Sequence, residues 1–365
     1  TTKLVCYYSL PSALPINDPL PPGLNATLCT HILYIGTGVN STGQFAVANV
    51  NHTKLFSLTI PVLRKQNPSI VILLTNGGGG STQFSVILGS AKNRTRFITS
   101  VIPFLRQYDF DGFDLDFEFP GWNGLPESQI HSFSLLMKEF RESFESDARV
   151  TGKKRLLLTA AVAASFVMMY KIYEFDYLDK YLDLVNLMGY DFNGFTWTSP
   201  FTAFNSPLFP EEYDIKYFRT NNLAFTANEY VKNHIPKSKL MVGIPTYSHA
   251  YKLLFSRLHD IRAPAVGRGE CDSAPYICSC TAIQKKKATR VWDDAAKVPY
   301  IYYGNQWVSY EDKESIKEKV NWIKSNGFGG VMVYDLNADD YQGLCDGRTK
   351  YPLISLTHKL LFGTL

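Results

Sequence analysis

Eight short apolar, β-branched runs are spaced along the whole chain, at residues 4–8, 31–35, 70–75, 112–119, 155–162, 184–190, 240–244 and 330–334. Between most of them lie stretches with apolar residues at helical spacing, for example 93–108, 126–144, 222–234 and 313–324. Strands alternating with helices predict βαβ units and a parallel sheet. Eight such units predict an α/β fold closed into a (β/α)8 TIM barrel, with functional loops at the C-terminal ends of the strands. A doubly wound open sheet is the competing arrangement. It calls for a Gly-rich turn directly after the first strand, and Tyr7-Tyr8-Ser9-Leu10-Pro11 is not one. The 365 residues suffice for one barrel with an insertion. The rhythm breaks once, between 247 and 307, where three Cys and the run Lys285-Lys286-Lys287 occur without a clean βα unit. The expected domains are therefore a barrel of residues 1–246 and 308–365 and a lobe of residues 247–307 inserted between strands seven and eight. The lysine run is read as a solvated loop.

A net charge of +4 over this length points to neither nucleic acid nor a membrane surface. No run reaches the roughly 18 apolar residues that span a bilayer. No basic-then-apolar leader opens the chain, so any leader is expected to have been removed. Six Cys (Cys6, Cys29, Cys271, Cys278, Cys280 and Cys345) permit three bridges. Four Asn-x-Ser/Thr sequons stand at Asn25, Asn40, Asn51 and Asn93. Together they favour an oxidising, secretory route over reduced cytosolic cysteines, so a secreted, glycosylated monomer is expected. The 22 Tyr, 24 Phe and 5 Trp fit a large core, and equally a groove lined with flat rings for sugars.

The segment 111–118, Asp-Gly-Phe-Asp-Leu-Asp-Phe-Glu, carries the chemistry. Side chains alternate along a strand, so Phe113, Leu115, Phe117 and Phe119 share one face and Asp114, Asp116 and Glu118 the other. The outer face of a barrel strand meets helices and must be apolar. The acids therefore face inward. Burying unpaired carboxylates is costly, and acids this close cannot all ionise. At least one pKa is raised, which is what a general acid near neutral pH requires. Successive acids are about 6.5 Å apart along the strand, and only Glu118 reaches clear of the barrel. A structural metal site or a buried hydrogen-bond network is the alternative use. No His accompanies the cluster, and the seven His of the chain contain no His-x-x-x-His pair. No metal or cofactor is expected. The run Gly77–Gly80 lacks the Gly-Lys-Ser/Thr of a phosphate loop.

The same residues match the Asp-x-x-Asp-x-Asp-x-Glu signature of glycoside hydrolase family 18, the chitinases and chitinase-like lectins, and the resemblance extends over nearly the whole chain. Asn76-Gly77-Gly78, Met188-Gly189-Tyr190-Asp191, Gly243 to Tyr247 and Gly329 to Tyr334 resemble its third, sixth, seventh and eighth strands, and the segment after Tyr247 resembles its α+β insertion. The resemblance implies a Cys6–Cys29 bridge. It implies Glu118 as proton donor and Asp116 as the group that orients the substrate's 2-acetamido arm. Asp114 would share a proton with Asp116, and Tyr190 would hydrogen-bond the acetamido carbonyl. Tyr7, Gly78, Met188, Asp191, Tyr247 and Tyr334 would contact sugar. The implied reaction is retaining cleavage of chitin or chito-oligosaccharides without an enzyme nucleophile.

This chain departs from the family pattern in its tryptophans. Phe117 stands where Trp usually precedes the catalytic Glu, an outward position where only packing is expected to change; Gly79 stands where Trp follows the third strand, and Tyr334 where Trp floors the central sugar site. Ser248-His249 replaces a common Arg. Losing platforms weakens grip by about 1 kcal/mol each, which keeps a binding-only lectin as the alternative function. His31 and His249 are read as core or surface residues ahead of cleft residues. Cys345 is expected to pair with Cys278 or Cys280, and Cys271 with the other.

Overall fold

The computed structural model describes residues 1–11, 24–77, 82–212 and 214–363. The strands in chain order are β1 (Lys3–Ser9), β2 (His31–Val39), β3 (Phe45–Val47), β4 (Val71–Gly77), β5 (Gly112–Asp116), β6 (Leu157–Val162), β7 (Leu184–Leu187), β8 (Leu240–Pro245), β9 (Tyr247–Leu253), β10 (Ala265–Arg268), β11 (Ala274–Pro275), β12 (Thr289–Asp293), β13 (Val298–Tyr303), β14 (Gln306–Ser309) and β15 (Gly330–Tyr334). Eight of them run parallel in the order β1-β15-β8-β7-β6-β5-β4-β2, and β1 also pairs β2, so the sheet closes. This is the (β/α)8 barrel expected from the alternation, with β3 as an antiparallel flap on β2. The expected strand 112–119 is shorter than its apolar pattern, because ladder pairing stops at Asp116. Strand 184–190 likewise stops at Leu187.

Two cores follow from alternation. Outward residues pack under the helices: Phe113 lies against Phe140 with ring centroids 5.4 Å apart, and Phe117 stacks on Phe84 at 4.5 Å. Inward residues, among them Val5, Leu33, Leu73, Met241 and Met332, fill the barrel lumen. Gly77 ends β4 where no larger residue fits. A Cβ there would lie 1.8 Å from the Asp116 carbonyl oxygen, and its φ of +122° disfavours any other residue.

Between β8 and β15, an antiparallel sheet in the order β10-β9-β14-β13-β12 forms a second layer, with β11 paired to β9. It spans Tyr247 to Ser309. The chain then returns to the barrel through helix Lys313–Ser325, whose start is fixed by a capping box between Asp312 and Ser315. Among the described residues no helix is long and apolar enough to cross a membrane.

Candidate active site

Register decides what surrounds the acids. In the parallel ladder Asp114 is opposite Thr75 of β4 and Thr159 of β6. Both threonine hydroxyls donate to its carboxylate, Thr75 at 3.2 Å. Tyr7 of β1 donates at 2.8 Å and the Asn186 amide of β7 at 3.2 Å. Four donors from four strands therefore hold one fully buried carboxyl. Burial pushes the Asp114 carboxyl up, and these hydrogen bonds only partly offset it. Asp116, one step toward the rim, has no comparable shell among the described residues, and its Oδ1 is buried there without a hydrogen-bond partner. Burial, then repulsion from Glu118 and Asp114, pushes Asp116 well above the carboxylate range. Acids this close do not titrate independently, and burial with mutual repulsion favours the protonated form of the Asp114–Asp116 pair. Glu118 lies two residues further on, half-buried, beyond the end of strand pairing.

Glu118 stands between two adjoining hollows at the C-terminal ends of the strands. The first, about 860 Å³, has Asp116, Tyr7, Tyr247 and Tyr334 in its wall. The second, about 570 Å³, runs past Phe119 and Trp122. Glu118, Met188, Tyr190 and Asp191 border both. Tyr334 is the hub of a ring cluster, with centroids 5.6 Å from Tyr7, 5.9 Å from Tyr190 and 6.3 Å from Tyr247. Burial, and then the neighbouring acids, raise the Tyr7 and Tyr190 phenols, so both stay protonated donors. Of the residues singled out in the sequence, Gly78 lies outside the described residues. The others that the resemblance assigns to sugar or catalysis converge here, Asp114 from beneath.

The rim is built differently. Asp191 adopts a left-handed φ of 56°, and its Oδ1 accepts from Tyr247 Oη at 2.6 Å and His249 Nε2 at 2.7 Å. His249 Nδ1 meets Asp272 Oδ1 at 2.9 Å, and Arg268 pairs the other Asp272 oxygen at 3.0 Å. Burial pulls the imidazole down, but its bonds to Asp191 and Asp272 outweigh burial and bring His249 up to about 9. His249 therefore carries a proton on both nitrogens and lines the cleft, against the expectation of a core or surface residue. The signal was available in β9. Tyr247 and His249 share a face by alternation, so a cleft tyrosine at 247 places His249 beside it. His31 opens β2 at the opposite end of the barrel. It bonds Thr30, and burial holds it near pKa 4. Thr75, Thr159 and Asn186 were not legible as site residues, since nothing local links them to position 114.

The cystines are Cys6–Cys29, Cys271–Cys278 and Cys280–Cys345. The structure thus selects Cys280 for Cys345 from the two options. Asn25, Asn40 and Asn51 are exposed, whereas Asn93 is half-buried and spends its Nδ2 on the Val86 carbonyl at 2.8 Å.

Residues 3–339 match the family model of glycosyl hydrolases family 18. Mouse chitotriosidase-1 is 34% identical over 96% of this chain and 76% of its own length. Human chitinase-3-like protein 2 is 32% identical over 98% of this chain and 92% of its own length. Among solved structures, human YKL-39, described as a pseudo-chitinase with retained chitooligosaccharide binding, superposes with a TM-score of 0.91 at 31% identity over 99% of this chain and 100% of that one. An immunomodulatory chitinase of Trichuris suis gives 0.89 at 33% identity, over 99% and 100%.

Proposed function

The chain belongs to glycosyl hydrolases family 18, and on that premise we propose that it cleaves β-1,4-linked N-acetylglucosamine polymers or oligomers with retention of configuration. Glu118 donates its proton to the glycosidic oxygen between the two hollows. The bond from the anomeric carbon to that oxygen breaks as the substrate's own 2-acetamido oxygen closes on the carbon, so no enzyme nucleophile is needed; water, giving a proton to the Glu118 carboxylate, then opens the intermediate with net retention. Asp116 receives the acetamido N–H on its unpartnered Oδ1 and stabilises the developing positive charge. Asp114 shares the remaining proton from beneath. Tyr190 donates to the acetamido carbonyl. Asp191 contacts the same sugar, and Tyr7, Gly78, Met188, Tyr247 and Tyr334 shape its bed. The barrel, residues 1–246 and 308–365, is the catalytic body, and lobe 247–307 supplies one wall. The protein acts as a secreted monomer with glycans at its exposed sequons.

The observation that carries the proposal is the Asp116 carboxyl, buried and, among the described residues, lacking a hydrogen-bond partner on the oxygen that an amide N–H would fill. Glu118→Gln tests it. Release of chromophore from a chromogenic chito-oligosaccharide should fall about 10²–10⁴-fold, while oligosaccharide binding persists. Equal rates for the two proteins would remove Glu118 from the mechanism. A second function, a lectin that binds without turnover, draws on Tyr334 in place of a larger platform and on the likeness to a pseudo-chitinase. No wild-type turnover across a broad pH range, alongside measurable binding, would favour it.

A further inference from the structure

The turn that carries Tyr190 and Asp191 is held from behind. The Gly189 carbonyl accepts from Ser206 Oγ at 2.6 Å. The Asp191 N–H donates to Asn205 Oδ1 at 2.8 Å, and the Phe192 N–H to the Asn205 carbonyl at 3.0 Å. Two consecutive residues thus fasten both sides of a turn whose left-handed Asp191 is not self-stabilising. Asn205–Ser206 is itself anchored. The Asn205 N–H donates to Ser309 Oγ at 2.9 Å. Lys319 Nζ donates to the Ser206 carbonyl at 2.5 Å and to Ser206 Oγ at 2.9 Å. The remaining ammonium proton goes to Glu311 Oε1 at 2.5 Å. All three donors of the ammonium are used.

This ion pair lies wholly inside the protein: the Lys319 side chain is 0% exposed and that of Glu311 3%. Glu311 Oε2 is buried without a hydrogen-bond partner among the described residues. Desolvation makes such a pair a poor source of stability, and an apolar pair of similar volume commonly does as well or better. What an apolar pair cannot do is aim two hydrogen bonds at Ser206.

We infer that Lys319, held by Glu311, is a positioning residue for the Tyr190–Asp191 turn, acting through Asn205 and Ser206 on the sugar site. This rests on the function proposed above only where activity is measured. The double variant Lys319→Met/Glu311→Leu separates positioning from packing. It should keep a melting temperature near wild type while kcat on the chromogenic substrate falls about tenfold with little change in KM. Amide exchange at Asp191 and Phe192 should accelerate about tenfold, a readout that needs no sugar and stands even if Glu118→Gln shows the function to be wrong. Should the double variant fail to fold, Ser206→Ala leaves the ion pair in place. It should lower kcat similarly and loosen the same turn. A folded variant with wild-type kcat and wild-type exchange at Asp191 and Phe192 overturns the inference.

Discussion

The floor and the rim of the cleft both hold acids, and they hold them with opposite chemistry. On the floor Asp114 is surrounded by neutral donors: two threonines, a tyrosine and an asparagine. On the rim Asp191 and Asp272 are bridged by a cationic imidazole, with Arg268 beyond. Burial decides the difference. Deep in the lumen a carboxyl surrounded by neutral groups keeps its proton more readily than it pairs. At the mouth the Asp191 side chain is 58% exposed, so water shares the cost of its charge, while largely buried His249 and Asp272 keep theirs by pairing with each other. The floor therefore favours protonated acids, and the rim holds its charges in a bridged row.

Three substitutions would break or sharpen this contrast. The largest effect is expected for Asp116→Asn, which keeps shape but removes the acid. Turnover should fall by about 10²–10⁴-fold in steady-state assays, with melting temperature unchanged or raised. Full activity would detach the floor from catalysis. Next, Asp114→Ala strands buried donors from four strands and should cost about 3 kcal/mol in denaturant unfolding. A loss under about 1 kcal/mol would show that the shell around Asp114 is not what holds that part of the barrel.

The smallest effect is a pH dependence at the rim. His249 is raised in the folded state, so its contribution is complete below the unfolded value of about 6.5 and is lost as pH rises toward about 9. Asp272 is lowered: burial opposes this, but the bond from His249 prevails. Its contribution is present above the unfolded value of about 3.9 and is lost as pH falls. Wild type should lose roughly 1–2 kcal/mol between pH 6.5 and 9, after allowing for screening at half-exposed Asp191. In His249→Gln that slope should flatten in unfolding measured across the range. An unchanged slope would place the proton elsewhere.

The sequence alone determined the barrel and the direction of its acids. Strand alternation is a property of the backbone, so position 113 facing helices forces 114 to face the lumen wherever the strand lies. Eight apolar runs separated by helical stretches similarly leave little choice but a closed parallel sheet. Only the tertiary structure decided which groups meet those acids. Thr75, Thr159, Tyr7 and Asn186 reach Asp114 because barrel closure and ladder register bring four distant strands to one height. Lys319 reaches Ser206 and Cys280 reaches Cys345 across 113 and 65 positions. Such contacts arise from packing between elements, and no local period in the chain encodes them.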